Sequence, residues 1–140
     1  MSDETEQSDQ TDALQSALAA EHAAVYAYGV VGGVLGATSA PANAAYAAHR
    51  GRRDQLMAMI GGEAVAAEPA YELPFAVPGP GRAQQLGVRV EQRCAEVYAD
   101  VVSRTSGPPR VFAARALADC AVRGLDWGGD FEAFPGLRGR

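Results

Sequence analysis

Leu14-Gln15-Ser16-Ala17-Leu18-Ala19-Ala20-Glu21-His22-Ala23-Ala24-Val25-Tyr26-Ala27-Tyr28-Gly29-Val30-Val31 carries Leu14, Leu18, Glu21, Val25, Tyr28 and Val31 at intervals of three and four. That is the spacing of one face of an α-helix. The face is apolar except at Glu21, which falls between Leu18 and Val25. A carboxylate there is buried once the helix packs, and a buried charge needs a partner. The rest of the chain must supply both the surface on which that helix packs and the partner of Glu21.

Upstream, residues 1–12 hold Asp3, Glu4, Glu6, Asp9 and Asp12 and no basic residue, which predicts a disordered acidic lead-in with order beginning near Thr11 or Asp12. Downstream, Gly36 stops the first helix; Ser39 and Pro41 start a second, running from about Pro41 to Ile60, with Tyr46, His49, Arg53, Met57 and Ile60 on its inner side. Pro69, Pro74, Pro78, Pro80, Gly79 and Gly81 make residues 61–81 a long non-helical connection. Tyr71, Leu73, Phe75 and Val77 predict that it lies packed along the protein, with room beneath it for a small ligand between the hairpins. A third helix, about Arg82 to Arg104, aligns Leu86, Val90, Glu91, Cys94, Tyr98 and Val101. After Gly107-Pro108-Pro109 a fourth helix runs from about Pro109 to Trp127, and Phe134-Pro135-Gly136-Leu137 reads as an apolar tail docking on it. No segment alternates as a strand does, so the expected fold is all-α: residues 13–137 form two antiparallel hairpins joined by a long crossover, a four-helix bundle.

The halves repeat. A shift of 70 residues sets Glu21 on Glu91, Tyr28 on Tyr98, Arg53 on Arg123 and His49 on Asp119. Residues equidistant from a hairpin turn lie at one height, since both helices rise ~1.5 Å per residue. The arithmetic makes Glu21 level with Arg53, Glu91 with Arg123 and Cys94 with Cys120. It predicts two buried ion pairs, Glu21–Arg53 and Glu91–Arg123, in a polar network that includes His49, Asp119, Tyr28 and Tyr98. Tyr28, Tyr46 and Tyr98 are expected as core aromatics with satisfied hydroxyls, and Cys94 and Cys120 as reduced, buried thiols. His22 should point off the inner face, to solvent or a subunit contact. Gly29, Gly32 and Gly33 suggest close helix contact or a thin spot where another subunit packs.

Ala19-Ala20-Glu21-His22-Ala23-Ala24-Val25-Tyr26-Ala27-Tyr28-Gly29-Val30-Val31-Gly32, His49-Arg50-Gly51-Arg52-Arg53-Asp54, Tyr71-Glu72-Leu73-Pro74-Phe75, Ala121-Val122-Arg123 with Trp127, and Phe134-Pro135-Gly136-Leu137 resemble a bacterial ferritin-like family of unknown function. Metal-binding members of the ferritin-like superfamily supply one Glu from each of two helices and Glu-x-x-His from each of the other two. Glu21 and Glu91 match the single carboxylates. The second helix offers Tyr46-x-x-His49, and in the fourth Ala116 precedes Asp119, so both Glu-x-x-His motifs are broken. The resemblance therefore implies a ferritin-like bundle without a dinuclear centre and with no cofactor. The alternative is a residual site of Glu21, His49, Glu91 and Asp119 holding Fe or Mn.

Charge narrows the function classes. All 12 basic residues are Arg, and the net charge of −5 equals the five acids of residues 1–12, so the body is neutral. A neutral body argues against nucleic-acid binding. No uninterrupted apolar run reaches ~18 residues and the acidic start is unlike a signal peptide, which predicts a cytoplasmic protein without a membrane partner. Nucleotide, phosphate-loop and nucleophile-elbow motifs are lacking. The expectation is a non-enzymatic bundle that works by association, as a homodimer or larger assembly, with a ferritin-like oxidase or iron-handling protein as the alternative.

Overall fold

Four α-helices and no strand make up the described residues, 2–130 and 135–137, of the computed structural model. They are α1 (Ser2–Leu35), α2 (Ala40–Ile60), α3 (Pro80–Arg104) and α4 (Pro108–Asp126). α1 packs on α2 and on α3, and α3 packs on α4, so the order across the bundle is α2, α1, α3, α4. The fold is the expected four-helix bundle of two hairpins, with helix boundaries within two residues of the sequence reading for α2, α3 and α4.

The helix ends have local causes. Ser39 accepts from Ala42 N to cap α2, and Pro41 sits in its first turn. Gly107 takes φ 64 to turn α3 into α4. At the other end of α4, Gly128 takes φ 99 while Gly129 N–H donates to Gly124 O at 2.8 Å and Gly128 N–H to Leu125 O at 2.9 Å, a Schellman closure.

The acidic lead-in is a correction. α1 continues to Ser2 instead of starting near Thr11. The segment contains no Gly or Pro, its acids Asp3 and Glu4 sit at the favourable end of the helix dipole, and Arg104 of α3 holds Asp9 at 2.9 Å. α1 as a whole is long and apolar enough to cross a membrane by length and composition, a test that the core helix of a soluble protein also passes. Here its apolar stripe, Leu14, Leu18, Tyr28 and Val31, is buried within the bundle.

The crossover lies along the bundle as expected, with Leu73, Phe75 and Val77 half-buried against the core. Tyr71 packs its ring 5.8 Å from that of Tyr26. Polar tethers fix its start: Gln15 Nε2 donates to Glu63 O at 2.6 Å, Val65 N–H donates to Gln15 Oε1 at 2.8 Å, and His22 Nε2 lies 2.9 Å from Val65 O. His22 is therefore buried beneath the crossover, not turned to solvent. Under residues Glu72–Pro74 runs a groove floored by Ala20, Ala24 and Cys94. Gly29, Gly32 and Gly33 have open space where a Cβ would stand, so close helix contact does not explain them. In the expected tail, Gly136 lies against Ala95 O of α3, while Leu137 stays exposed; Phe134 lies outside the described residues.

Candidate functional site

The inner stripe of α2 is Ala42, Ala45, His49 and Leu56, all buried. It carries His49 into the centre of the bundle at the height of Glu21 of α1 and Glu91 of α3. His49 is 0% exposed, Glu21 0% and Glu91 1%. The imidazole bridges the two carboxylates: Nδ1 lies 2.5 Å from Glu21 Oε1, and Nε2 2.9 Å from Glu91 Oε2. Burial works against the charged ring, but the hydrogen bonds to Glu21 and Glu91 outweigh it and push the His49 pKa up to about 10. At neutral pH the ring is thus an imidazolium, and both nitrogens donate.

Two tyrosines complete the centre crosswise. Tyr98 of α3 donates to Glu21 Oε2 at 2.6 Å, and Tyr28 of α1 donates to Glu91 Oε2. Burial, reinforced by the neighbouring carboxylates, raises both phenols well above their ordinary range, so they remain protonated donors. Tyr28 also stacks with His49, at 5.3 Å, and with Trp127, at 6.1 Å between ring centroids. Trp127 reaches that place because α3 has Gly87 opposite it; a Cβ there would stand 2.7 Å from the indole.

The Glu21–Arg53 and Glu91–Arg123 pairs of the sequence reading do not form. Arg53 instead pairs with its exposed neighbour Asp54 at 3.0 Å, and Arg123 with Asp119, one turn back on α4, at 2.9 Å. The cation that approaches Glu21 is Arg52, whose Nη1 is 4.0 Å from Glu21 Oε2. Arg52 also pairs with Asp119 across the open side between α2 and α4 and donates to Cys120 Sγ at 3.7 Å. Height along the axis was right and rotation was not: one residue turns the helix by 100°, and the inner stripe runs through Arg52. Tyr46, assigned to that stripe, is half-buried under Arg50, and Met57 is exposed.

Asp119 consequently stands apart from His49. Its carboxylate feels some desolvation, but Arg52 and Arg123 together hold its pKa below the usual carboxylate range. Cys94 and Cys120 are free, buried thiols that interact across α3 and α4. The bond to Cys120, then burial and the charge of Glu21, push the Cys94 pKa up. Cys94, which the sequence reading treated only as a core thiol, joins Glu21 and His49 in offering one ligand atom each within 4.8 Å of one another.

Fold and centre together define the class: a four-helix bundle whose core holds two carboxylates, two tyrosines and one histidine drawn from α1, α2 and α3. The chain belongs to the family described as Domain of unknown function (DUF4439), whose profile matches residues 13–139. It is similar to the crystal structure of a conserved hypothetical protein, rv2844, from Mycobacterium tuberculosis, with 34% identity and a TM-score of 0.81 over 86% of this chain and 95% of that one. No curated protein matches the chain.

Proposed function

We propose that the protein is a ferritin-like bundle in which an imidazolium occupies the position that a dinuclear metal centre takes in metal-binding members of that superfamily, and that it acts by binding or association instead of oxidase chemistry. One observation carries the reading. Both ring nitrogens of His49 are spent on Glu21 and Glu91, so neither presents a lone pair to a metal. The donor set also fails to fit two metals: Tyr46 stands where a bridging Glu is needed, and Asp119 is held by two guanidinium groups. The apolar side chains exposed on α4, Val111, Val122 and Leu125, support the association part of the reading.

Elemental analysis tests it, on protein purified without added metal and again after anaerobic loading with Fe(II) or Mn(II) and desalting. Substoichiometric metal is expected in both; two equivalents per chain overturn the reading. Sedimentation equilibrium tests association, and a monomer at every concentration overturns that part.

A second reading rests on the Glu21, His49 and Cys94 cluster, which suits one thiophilic divalent ion. Such an ion would have to displace the His49 proton and a thiol proton, so its uptake would rise steeply with pH. One equivalent of Zn(II) bound at pH 8, and lost in Cys94→Ser, is the result that favours this reading over the first.

A further inference from the structure

α4 stands at the end of the helix order and packs extensively on α3 alone. Its outer side carries Val111 at 49% exposure, Val122 at 56% and Leu125 at 43%, with exposed Ala114 and Ala118 between them. Steps of about 100° per residue place all five within about 80° of arc, one apolar stripe along the helix. Covering that stripe removes apolar surface from water, which favours association.

The charges of α4 indicate what covers it. Arg110 donates to Val102 O, and Asp119 is held by Arg52 and Arg123. Arg115 and Asp126 are exposed, and neither side chain has a partner among the described residues. Eleven residues apart, they project from the same flank of the stripe, within about 20° of each other. About 16.5 Å of helix separates them, too far for pairing within one chain. In a twofold antiparallel pair of identical helices, the same flank of each helix meets in reverse order. Arg115 then comes beside Asp126 of the second copy, and Asp126 beside its Arg115, while Val111 approaches Leu125 and Ala118 lies near the axis. A parallel pair would set the two flanks on opposite sides and leave all four charges unpaired.

We infer that α4 is a homodimer surface: a second copy of this chain covers the stripe from Val111 to Leu125 with its own α4, antiparallel, flanked by two Arg115–Asp126 pairs. The inference rests on the association part of the proposed function and deepens it by naming the partner and the face. A helix face about 28 Å long and ~10 Å wide falls well short of the ~800 Å² per partner of a standard interface, so the dimer is weak and reversible. The charge pairs lie at the rim and set orientation more than affinity.

Sedimentation equilibrium of the full chain from about 10 μM to about 1 mM tests it. Wild type should pass reversibly from monomer to dimer within that range. Val122→Glu sets a charge in the stripe at an exposed site that folding tolerates, and should weaken the dimer at least about tenfold. Arg115→Asp brings two acids together and should weaken it at least about threefold, and Arg115→Asp/Asp126→Arg should recover it to within about twofold of wild type. Because these residues cannot meet within one chain, recovery requires contact between copies. If a variant loses its helical circular dichroism, wild-type amide shifts on dilution carry the test: shifts centred on the outer face of α4 support the surface, and shifts elsewhere overturn it. An assembly that Val122→Glu leaves unchanged, or a double variant no tighter than Arg115→Asp, overturns the inference while association through another face still stands. A monomer at every concentration overturns both.

Discussion

Tyr98 on α3 donates its hydroxyl to Glu21 on α1 at 2.6 Å, while the equivalent Tyr28 on α1 donates to Glu91 on α3. The internal repeat therefore closes crosswise: each half supplies the tyrosine that satisfies the other half's glutamate. These bonds hold the two hairpins in one register, since sliding α1 along α3 would break both.

The first prediction concerns that bond. Tyr98→Phe keeps the ring and removes the donor, leaving Glu21 Oε2 buried without it. Stability should fall by about 1–3 kcal/mol. Tyr46→Phe, at a half-buried ring, should change it by no more than about 0.5 kcal/mol. Urea denaturation followed by circular dichroism measures both, and equal losses would show that the Tyr98 hydroxyl contributes nothing particular.

Which parts of this arrangement can be read from sequence follows from side-chain size. On α1 and α3 the inner stripes are marked by Leu14, Leu18, Leu86, Val90 and Val101, so the burial of Glu21 and Glu91 was legible. On α2 the true stripe is marked by Ala42 and Ala45, which signal a face weakly, while the larger Tyr46 and Met57 draw the eye to the next face round. That rotation turned Arg52 into Arg53. The position of His49 survives because both stripes contain it. Its role as a bridge was not legible: spacing within one helix fixes height and face, but not which atoms of two other helices converge there. The crosswise use of Tyr28 and Tyr98 was hidden for the same reason, although the repeat showed that they were equivalent. That Glu91 Oε1 has no hydrogen-bond partner among the described residues could be found only by accounting for every lone pair in three dimensions.

The rotation of α2 gives a second prediction. Arg52 is 11% exposed and serves Asp119, Cys120 and the edge of Glu21, whereas Arg53 meets only an Asp54 that is 65% exposed. Removing Arg52 leaves Asp119 to Arg123 alone and takes a cation from beside the buried Glu21, so Arg52→Ala should cost about 1–2 kcal/mol. Arg53→Ala should cost less than about 1 kcal/mol, as expected of an exposed pair. The reverse order in chemical denaturation would restore the pairing that the sequence suggested.

A third prediction runs against helix propensity. Gly87 lies inside α3, where Ala is favoured over Gly by about 1 kcal/mol. Yet a Cβ at Gly87 would stand 2.7 Å from the Trp127 ring. Gly87→Ala must displace that indole from its stack on Tyr28, and should destabilise by about 1–3 kcal/mol despite the propensity gain. Trp127 fluorescence should shift to the red as the ring becomes wetter. A more stable variant with unchanged emission would mean that the indole moves aside without cost.

The fourth prediction is the pH dependence of stability. The His49 pKa lies at about 10 in the folded chain against 6.5 for an unperturbed histidine. A raised folded value means that the native state holds the proton more tightly, so the contribution is complete below pH 6.5 and is lost as pH climbs toward 10. Cys94, Tyr28 and Tyr98 are raised as well and act in the same direction, but only above about pH 8.5, where the unfolded thiol and phenols begin to ionise. Arg52 keeps its charge throughout this range. The interval from pH 6.5 to about 8.5 therefore isolates the imidazole, and stability should fall across it by about 2 kcal/mol. His49→Gln, which cannot carry the proton, should be less stable at pH 6.5 but flat over the same interval. Urea midpoints at half-unit steps of pH measure both slopes, and a wild-type profile as flat as that of His49→Gln would mean that the bridge between Glu21 and Glu91 is not an imidazolium.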